Sequence, residues 1–524
     1  MKRDFSLLHR QQFDLLVCGG GIYGAWTAYD AALRGLKVAI VEQGDWASAT
    51  SSASSKLIHG GLRYLETFDF KLVKKALRER QMLLQIAPHR VWTLRFGIPV
   101  YADSRVGRLQ FKIGLMIYDF LASSPTRKRL HHYFNRQEFS QRFLMLDTTG
   151  LKGGFTYSDA QTDDARLVLE LIDGAMNAGA VAVNYCRLTR LTEIKGLASG
   201  AVVQDQLTGE SVEIQARQVV CAAGQWLAAD EESSKWCRAT KGVHLILPAV
   251  LADEALLLTA RSDGRVFFMI PWYGLTVIGT TDTDYSGDMQ QVVVEESEAA
   301  YLLDAANHYL RTAWTKADVI GSFAGLRVMK RNDKYSPSAL SRDWELKTAG
   351  NGVHYSIGGK ITSAREDAAV IVDRVCEHLR QDIPCATSGR FFPWAAQEEY
   401  AVWFVTVSAQ AAQLQIDTES TKWLIRRHGK RAVEIFKDIV NDPSLAERIA
   451  PAVPIIYADL LFCAREEMVV HLDDLLRRRM PLLILAKLKE ADCRSLAQRV
   501  SGMLGWDDTR VERELASCAQ NSTI

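Results

Sequence analysis

The sequence predicts an α/β core built from separated segments, a sheet-rich domain inserted into it, and a helical domain after residue 388. Three observations predict this. A strand, a glycine turn and a helix open the chain between Phe13 and Leu33. A strand, paired glycines and a helix recur much later, in "GVHYSIGGKITSAREDAAVIVDRV". Beyond about residue 390 the apolar period turns helical and no glycine fingerprint occurs.

Phe13 to Cys18 is short, apolar and followed by glycines, the pattern of a buried strand. Gly19, Gly21 and Gly24 fit G-x-G-x-x-G, with Gly20 inside it. Gly19 permits the tight turn. Gly21 lets a pyrophosphate approach backbone N–H groups, and Gly24 lets the helix pack on the sheet. Apolar periodicity carries that helix from Ile22 to Leu33, and Gly35 ends it. "KVAIVE" is a second strand. It ends at Glu42, 23 residues after Gly19, where a carboxylate accepts from a ribose hydroxyl. The unit is Rossmann-like and its ligand a dinucleotide.

This motif does not choose between FAD and NAD. The next stretch, "GDWASATSSASSKLIHGG", tilts the choice to FAD. Its small hydroxyl residues, Thr50, Ser51 and Ser52 among them, place donors along a pyrophosphate and flavin. Lys56, Leu57, Ile58 and His59 crowd against two glycines, as a solvent linker need not.

The remaining pieces give the domain plan. The FAD-binding domain takes residues 1–80, 151–239 and 336–388. Residues 81–150 form a cap or membrane-interface insertion, 240–335 a substrate domain, and 389–524 the helical domain. A hairpin turns at Thr208 and Gly209. The strand "QVVCAAG" ends in small residues at Ala222, Ala223 and Gly224, which admit a cofactor closely. Gly359, Lys360 and Thr362 stand where the late helix begins, facing anionic or electron-rich cofactor atoms. "GVHLILP", "VFFMIPWYG" and "LTVIGTTD" are the strands of the inserted sheet. The site then lies at the interface of the two domains.

Composition narrows the function classes. The chain has 524 residues and a formal net charge of +1, so no global charge argues for nucleic acid. Nine scattered cysteines without a C-x-x-C pair read as reduced thiols in a cytoplasmic protein. No cysteine–histidine cluster marks a metal, an iron–sulfur centre is unsupported, and no metal is expected. No apolar run is long enough to span a membrane. The stretch "LQFKIGLMIYDFLASSPTRKRL" joins apolar and aromatic residues (Phe111, Tyr118, Phe120) to Arg127, Lys128 and Arg129. It reads either as a membrane-interface segment or as an ordinary helix packed on the cap. "RRRMPLLILAKLK" is a weaker candidate of the same kind.

With these pieces in place, the chain resembles a known family, the FAD-dependent, quinone-linked glycerol-3-phosphate dehydrogenases. "SSASSKLIHGGLRYLE" and "FTYSDAQTDDARLVLE" look like its two signatures. "IGTTDTDY", "GLR" at 325–327 and "GGKIT" at 358–362 follow in the family order, and "EEMVVHLDDLLRRR" matches more loosely. The resemblance implies an FAD-binding fold of the glutathione reductase/D-amino-acid oxidase type. It implies oxidation of sn-glycerol 3-phosphate to dihydroxyacetone phosphate by hydride transfer from C2 to flavin N5. Electrons then pass to a membrane quinone. The enzyme is expected at the cytoplasmic face of the inner membrane, peripherally bound, and a homodimer is allowed for. Some positions depart from the family: Val243, Val328, "SA" at 363–364, and Ala223 and Gln225. They leave open a paralogue acting on another small hydroxy compound.

The chemistry suggests roles. Arg327 and Arg63 offer planar forks for a phosphate, and Tyr64 stands beside Arg63. Lys360 at a helix start is costly without an anion, and by resemblance it is a flavin-proximal lysine. His244 alternates with apolar neighbours on a strand. It is the preferred base, with an ordinary core histidine as the competing reading. His59 has an orienting or a catalytic role. Asp163, Asp164 and Arg166 read as structural partners at a helix start.

Overall fold

The computed structural model describes residues 1–66, 68–122, 130–228, 233–331 and 343–521. Phe13–Cys18 is a central strand of an eight-stranded sheet. It pairs in parallel with Val38–Val41 on one side and Ser211–Cys221 on the other. Val181–Val183 and His354–Ile357 extend the sheet, also in parallel. Both faces are covered, so "LLVC" and "VAIV" show no polar alternation. The helix Ile22–Leu33 is buried on nearly every face because it packs on the sheet and against Asp164–Asn177 and Ala364–Leu379. The hairpin turning at Thr208 and Gly209 joins Leu197–Asp205 to Ser211–Cys221.

A ten-stranded sheet forms the cap. Cys237–Leu247, Leu275–Gly279, Val266–Trp272, Glu254–Thr259, Val91–Tyr101 and Leu151–Thr162 run through it in that spatial order. Here the domain plan needs correction. Leu151–Thr162, assigned to the nucleotide fold, pairs along its length with Val91–Tyr101 in the cap. Leu57–Ile58 joins the same sheet through Gln161 and Ala160. The nucleotide fold resumes only at Asp164. Leu151–Thr162 is buried almost throughout, so its pattern does not say which sheet covers it. The serine loop, residues 50–56, therefore crosses from one sheet to the other.

The C-terminal part is helical from Tyr400, with a small hairpin of Arg448–Ala450 and Val453–Ile456. Buried ions fasten it to the rest. Asp45 accepts from Arg478 Nε at 2.6 Å and Arg479 Nη2 at 2.9 Å, and Glu467 accepts from Arg166 Nη2 at 2.8 Å. The stretch "EEMVVHLDDLLRRR" is not one continuous helix: the helix Tyr457–Glu466 ends at its start and a π-type turn, Asp474–Arg479, closes it. The Asp474 carboxylate takes the N–H groups of Val470 and His471 and holds the chain outside a helix there. Among the described residues no helix is long and apolar enough to cross a membrane.

Candidate active site

The glycine turn is built by contact. Gly19 has φ +116°, and a Cβ on Gly24 would stand 1.9 Å from the Gly19 carbonyl oxygen. The helix thus seats directly on the strand end. Glu42, expected at a ribose, clamps the turn: Gly20 N–H donates to it at 2.6 Å and Gly44 N–H at 2.8 Å. Burial raises its pKa against these bonds. The Ile22 N–H, in the first helical turn, donates to Ser51 Oγ at 2.9 Å. The Thr50 hydroxyl donates to Leu326 O at 2.5 Å and ties the serine loop to the Arg327 strand. Ser52 donates only to Ala49 O, at 3.3 Å.

A cavity lies between the two sheets. Gly21, Thr50, Ser51, Leu57 and Gly224 line it, as do Gly359 and Lys360 from the late loop. His59, Arg63 and Arg327 line it too. Gly19, Gly20, Gly24, Glu42, Ser52, Lys56, Tyr64, His244 and Thr362 are not among the residues that line it, although Tyr64 touches Arg63 and Lys360, which do. Lys56 is the clearest departure. Its buried ammonium donates to Asp164 Oδ1 and Ser52 O, each at 2.6 Å, because a cation so enclosed needs a carboxylate. Thr362 acts through its neighbour: its Oγ1 accepts the His59 N–H at 3.2 Å and joins the early and late loops. Asp163 caps the helix Asp164–Asn177 and accepts from the Tyr273 hydroxyl at 2.9 Å, a structural duty.

Three cations converge on the cavity from three segments. Arg63 Nη2 donates to the Tyr64 hydroxyl at 3.2 Å, and Lys360 Nζ lies 3.8 Å from the centre of the same ring. Arg327 is held by the "GTTDTD" loop, donating to Thr280 Oγ1 at 2.7 Å and Asp282 Oδ1 at 3.2 Å. Phe96, Tyr157, Leu257 and Phe268 add an apolar part to the same wall. His244 is 1% exposed. Its Nε2 is 2.8 Å from Ser55 Oγ, and Ser55 lines the cavity. Burial, then Arg327 and Lys56, push the imidazole pKa well below 6.5. Sequence reasoning missed Ser55, Thr280 and Asp282. Ser55 sits in the quoted serine run, and the other two in "IGTTDTDY".

The residues fit FAD. Four wall glycines or hydroxyls (Gly21, Ser51, Gly224 and Gly359) leave room for a close ligand. A Cβ at Gly359 would stand 1.8 Å from the Tyr23 hydroxyl. The buried group with metal-ligand chemistry among the described residues is His428, Asp459 and Cys463. Arg427 already pairs with its carboxylate.

A family model described as FAD dependent oxidoreductase matches residues 14–365. A model of the C-terminal domain of alpha-glycerophosphate oxidase matches residues 395–511. A glycerol-3-phosphate dehydrogenase of Synechocystis is 34% identical, over 98% of this chain and 97% of its own. The chain belongs to the FAD-dependent, quinone-linked glycerol-3-phosphate dehydrogenase family. Glycerol-3-phosphate dehydrogenase 2 of Mycobacterium bovis is 33% identical, over 97% of this chain and 88% of its own. The glycerol-3-phosphate dehydrogenase structure from Bacillus halodurans, complexed with FAD, superposes with TM-score 0.81 at 28% identity. It covers 99% of this chain and 96% of that one. The fold is the FAD-binding type expected, with its inserted mixed sheet and C-terminal helical domain.

Within this glycerol-3-phosphate dehydrogenase framework the departures mostly avoid the cavity. Val243 packs in the cap core and Ala364 in the nucleotide-domain core. Ser363 bonds Asp367 at 2.9 Å, and Gln225 donates to Met289 O at 2.6 Å. Ala223 packs beside the sheet. Val328 alone of the six lines the cavity.

Proposed function

We propose that the protein oxidises sn-glycerol 3-phosphate to dihydroxyacetone phosphate, with bound FAD and with a membrane quinone as final electron acceptor. One observation carries the reading. Arg63, Arg327 and Lys360 come from distant segments and line one cavity with the glycine turn. A dianionic phosphate answers such a cluster.

When bound, FAD supplies the hydride acceptor. Gly21, Ser51, Gly224 and Gly359 would hold it. Arg327 orients the phosphate, because Thr280 and Asp282 already fix its fork. Lys360 and Arg63 complete the anion site around Tyr64. His244 is the proton acceptor, kept neutral by burial and by its cationic neighbours. His59 orients, its backbone held by Thr362. The apolar wall limits water, so these charges act at close to full strength. Anaerobic addition of sn-glycerol 3-phosphate to the purified yellow protein tests this. Bleaching near about 450 nm, reversed by a soluble quinone, is the expected result. Bleaching only by a different hydroxy compound overturns the substrate.

Peripheral membrane binding at the cytoplasmic face of the inner membrane belongs to the same reading. The helix Arg108–Ala122 buries Leu115 and Tyr118 and turns Leu109, Ile113, Met116 and Phe120 outward. Phe68 is likewise exposed, and Arg108 and Lys112 stand beside the stripe. Such a face suits a lipid interface. Arg127, Lys128 and Arg129 lie outside the described residues. A homodimer is included, supported by the uncharged, exposed stripe of Val402, Val405, Ala409 and Ala412 on Tyr400–Gln413.

A further inference from the structure

We propose that the Ser55 hydroxyl is the relay through which His244 takes the proton of the substrate's C2 hydroxyl. This rests on the function proposed above. The observation behind it is that His244 is buried behind the cavity wall while Ser55 is part of that wall. The contact between them is 2.8 Å, from Ser55 Oγ to His244 Nε2.

The imidazole is held where it is. It lies flat on Phe323, with centroids 4.7 Å apart and planes 14° apart. Its Cδ2 edge is closed by Gly279, where an added Cβ would stand 2.3 Å away. Gly279 is also its strand partner. Of the two ring nitrogens, Nε2 is the one with a partner in the cavity lining, Ser55. In the tautomer that accepts from Ser55, Nδ1 carries the hydrogen. Nδ1 is buried with no hydrogen-bond partner among the described residues. Ser54, next in sequence, is engaged elsewhere, since its hydroxyl donates to Asp164 at 2.6 Å. The two serines divide structural and chemical roles.

The step balances. The C2–H bond breaks and its electron pair leaves as hydride to the flavin of the proposed reaction. The C2 hydroxyl proton passes to Ser55 Oγ as the Ser55 proton passes to His244 Nε2. The alcohol becomes a ketone, the flavin is reduced by two electrons, and serine is regenerated.

The charged groups that act on the imidazole are Lys56 and Arg327. Lys56 is balanced by Asp164 at 2.6 Å, and Arg327 by Asp282 at 3.2 Å. A substrate phosphate on Arg327 cancels part of the field that depresses the imidazole. The base thus strengthens as the substrate seats.

The test uses the FAD-loaded protein. Ser55→Ala is expected to slow anaerobic flavin bleaching by about 10²-fold, the usual weight of a positioned base. KM stays near the wild-type value, and Ser55→Thr restores most of the rate. Nitrogen-15-labelled histidine gives a second readout, with His244→Gln assigning the signal. The His244 Nε2 resonance is expected to move in Ser55→Ala and return in Ser55→Thr. Adding dihydroxyacetone phosphate is expected to raise the imidazole pKa in the wild type. Wild-type bleaching in Ser55→Ala, or an unmoved Nε2 resonance, overturns the relay alone. If sn-glycerol 3-phosphate does not bleach the wild type, the functional reading falls and takes the relay with it.

Discussion

Lys360 Nζ stands 3.8 Å from the centre of the Tyr64 ring. The ring face stabilises a cation that points into a cavity already holding two arginines. Removing any one cation should weaken phosphate binding. Arg327→Met or Lys360→Met is expected to raise KM for sn-glycerol 3-phosphate by about 10- to 100-fold, as loss of a charged hydrogen bond does. Steady-state kinetics checks it, and an unchanged KM removes that residue from the phosphate site.

Gly24 cannot carry a side chain without moving the helix off the strand. Gly24→Ala places a methyl 1.9 Å from the Gly19 carbonyl oxygen. The purified variant should be colourless, or lose its flavin on dilution. Absorbance per mole of protein decides it.

Asp45 is the anion for two buried arginines, Arg478 and Arg479. Asp45→Asn takes away the carboxylate of Arg479, while Arg478 keeps Asp473 and Asp474, at a cost of about 3–5 kcal/mol. Urea unfolding should show the loss, and early melting of the C-terminal helices would place it at this joint.

His354 is buried, its Nδ1 2.9 Å from Thr348 Oγ1 and its Nε2 3.1 Å from Gln218 Oε1. Burial, then His378 and Arg374, hold its pKa down to about 4. The unfolded chain binds a proton here near pH 6.5, and the folded chain does not until about pH 4. Stability is therefore full above pH 6.5 and falls as pH drops through that window. His354→Gln should flatten the fall by about 3 kcal/mol, measured by urea unfolding between those limits.

Phe120 is 82% exposed on the outer stripe of its helix. Phe120→Asp with Met116→Asp should lose retention on anionic phospholipid vesicles and keep anaerobic bleaching by the donor. Retention equal to wild type would move the membrane contact elsewhere.

Local chemistry is legible in the sequence where one segment suffices. The glycine turn, the helix stop at Gly35 and the acid at Glu42 depend on neighbours in the chain, and each sits in the turn or at a strand end. Pairings across the fold are less so. Lys56 reads like a cofactor residue until Asp164 is found beside it. Alternation places His244 on its strand, but not behind Ser55. Leu151–Thr162 looks alike whichever sheet takes it, because both would bury it. Arg327 reads as a cavity residue from its own segment, whereas its anchors Thr280 and Asp282 depend on a loop forty-odd residues earlier.

The two neighbours of Phe13–Cys18 are made at very different times. Val38–Val41 leaves the ribosome almost at once, but Ser211–Cys221 comes about two hundred residues later, and His354–Ile357 later still. At about 5–20 residues per second, the apolar strand has one bare edge for on the order of ten seconds or more. Ala222, which packs against the Gly19 turn, and Gly224, which lines the cavity with it, do not yet exist during that interval. A nascent chain therefore needs shielding before it can be useful, and cofactor capture is a late event of synthesis rather than its nucleus.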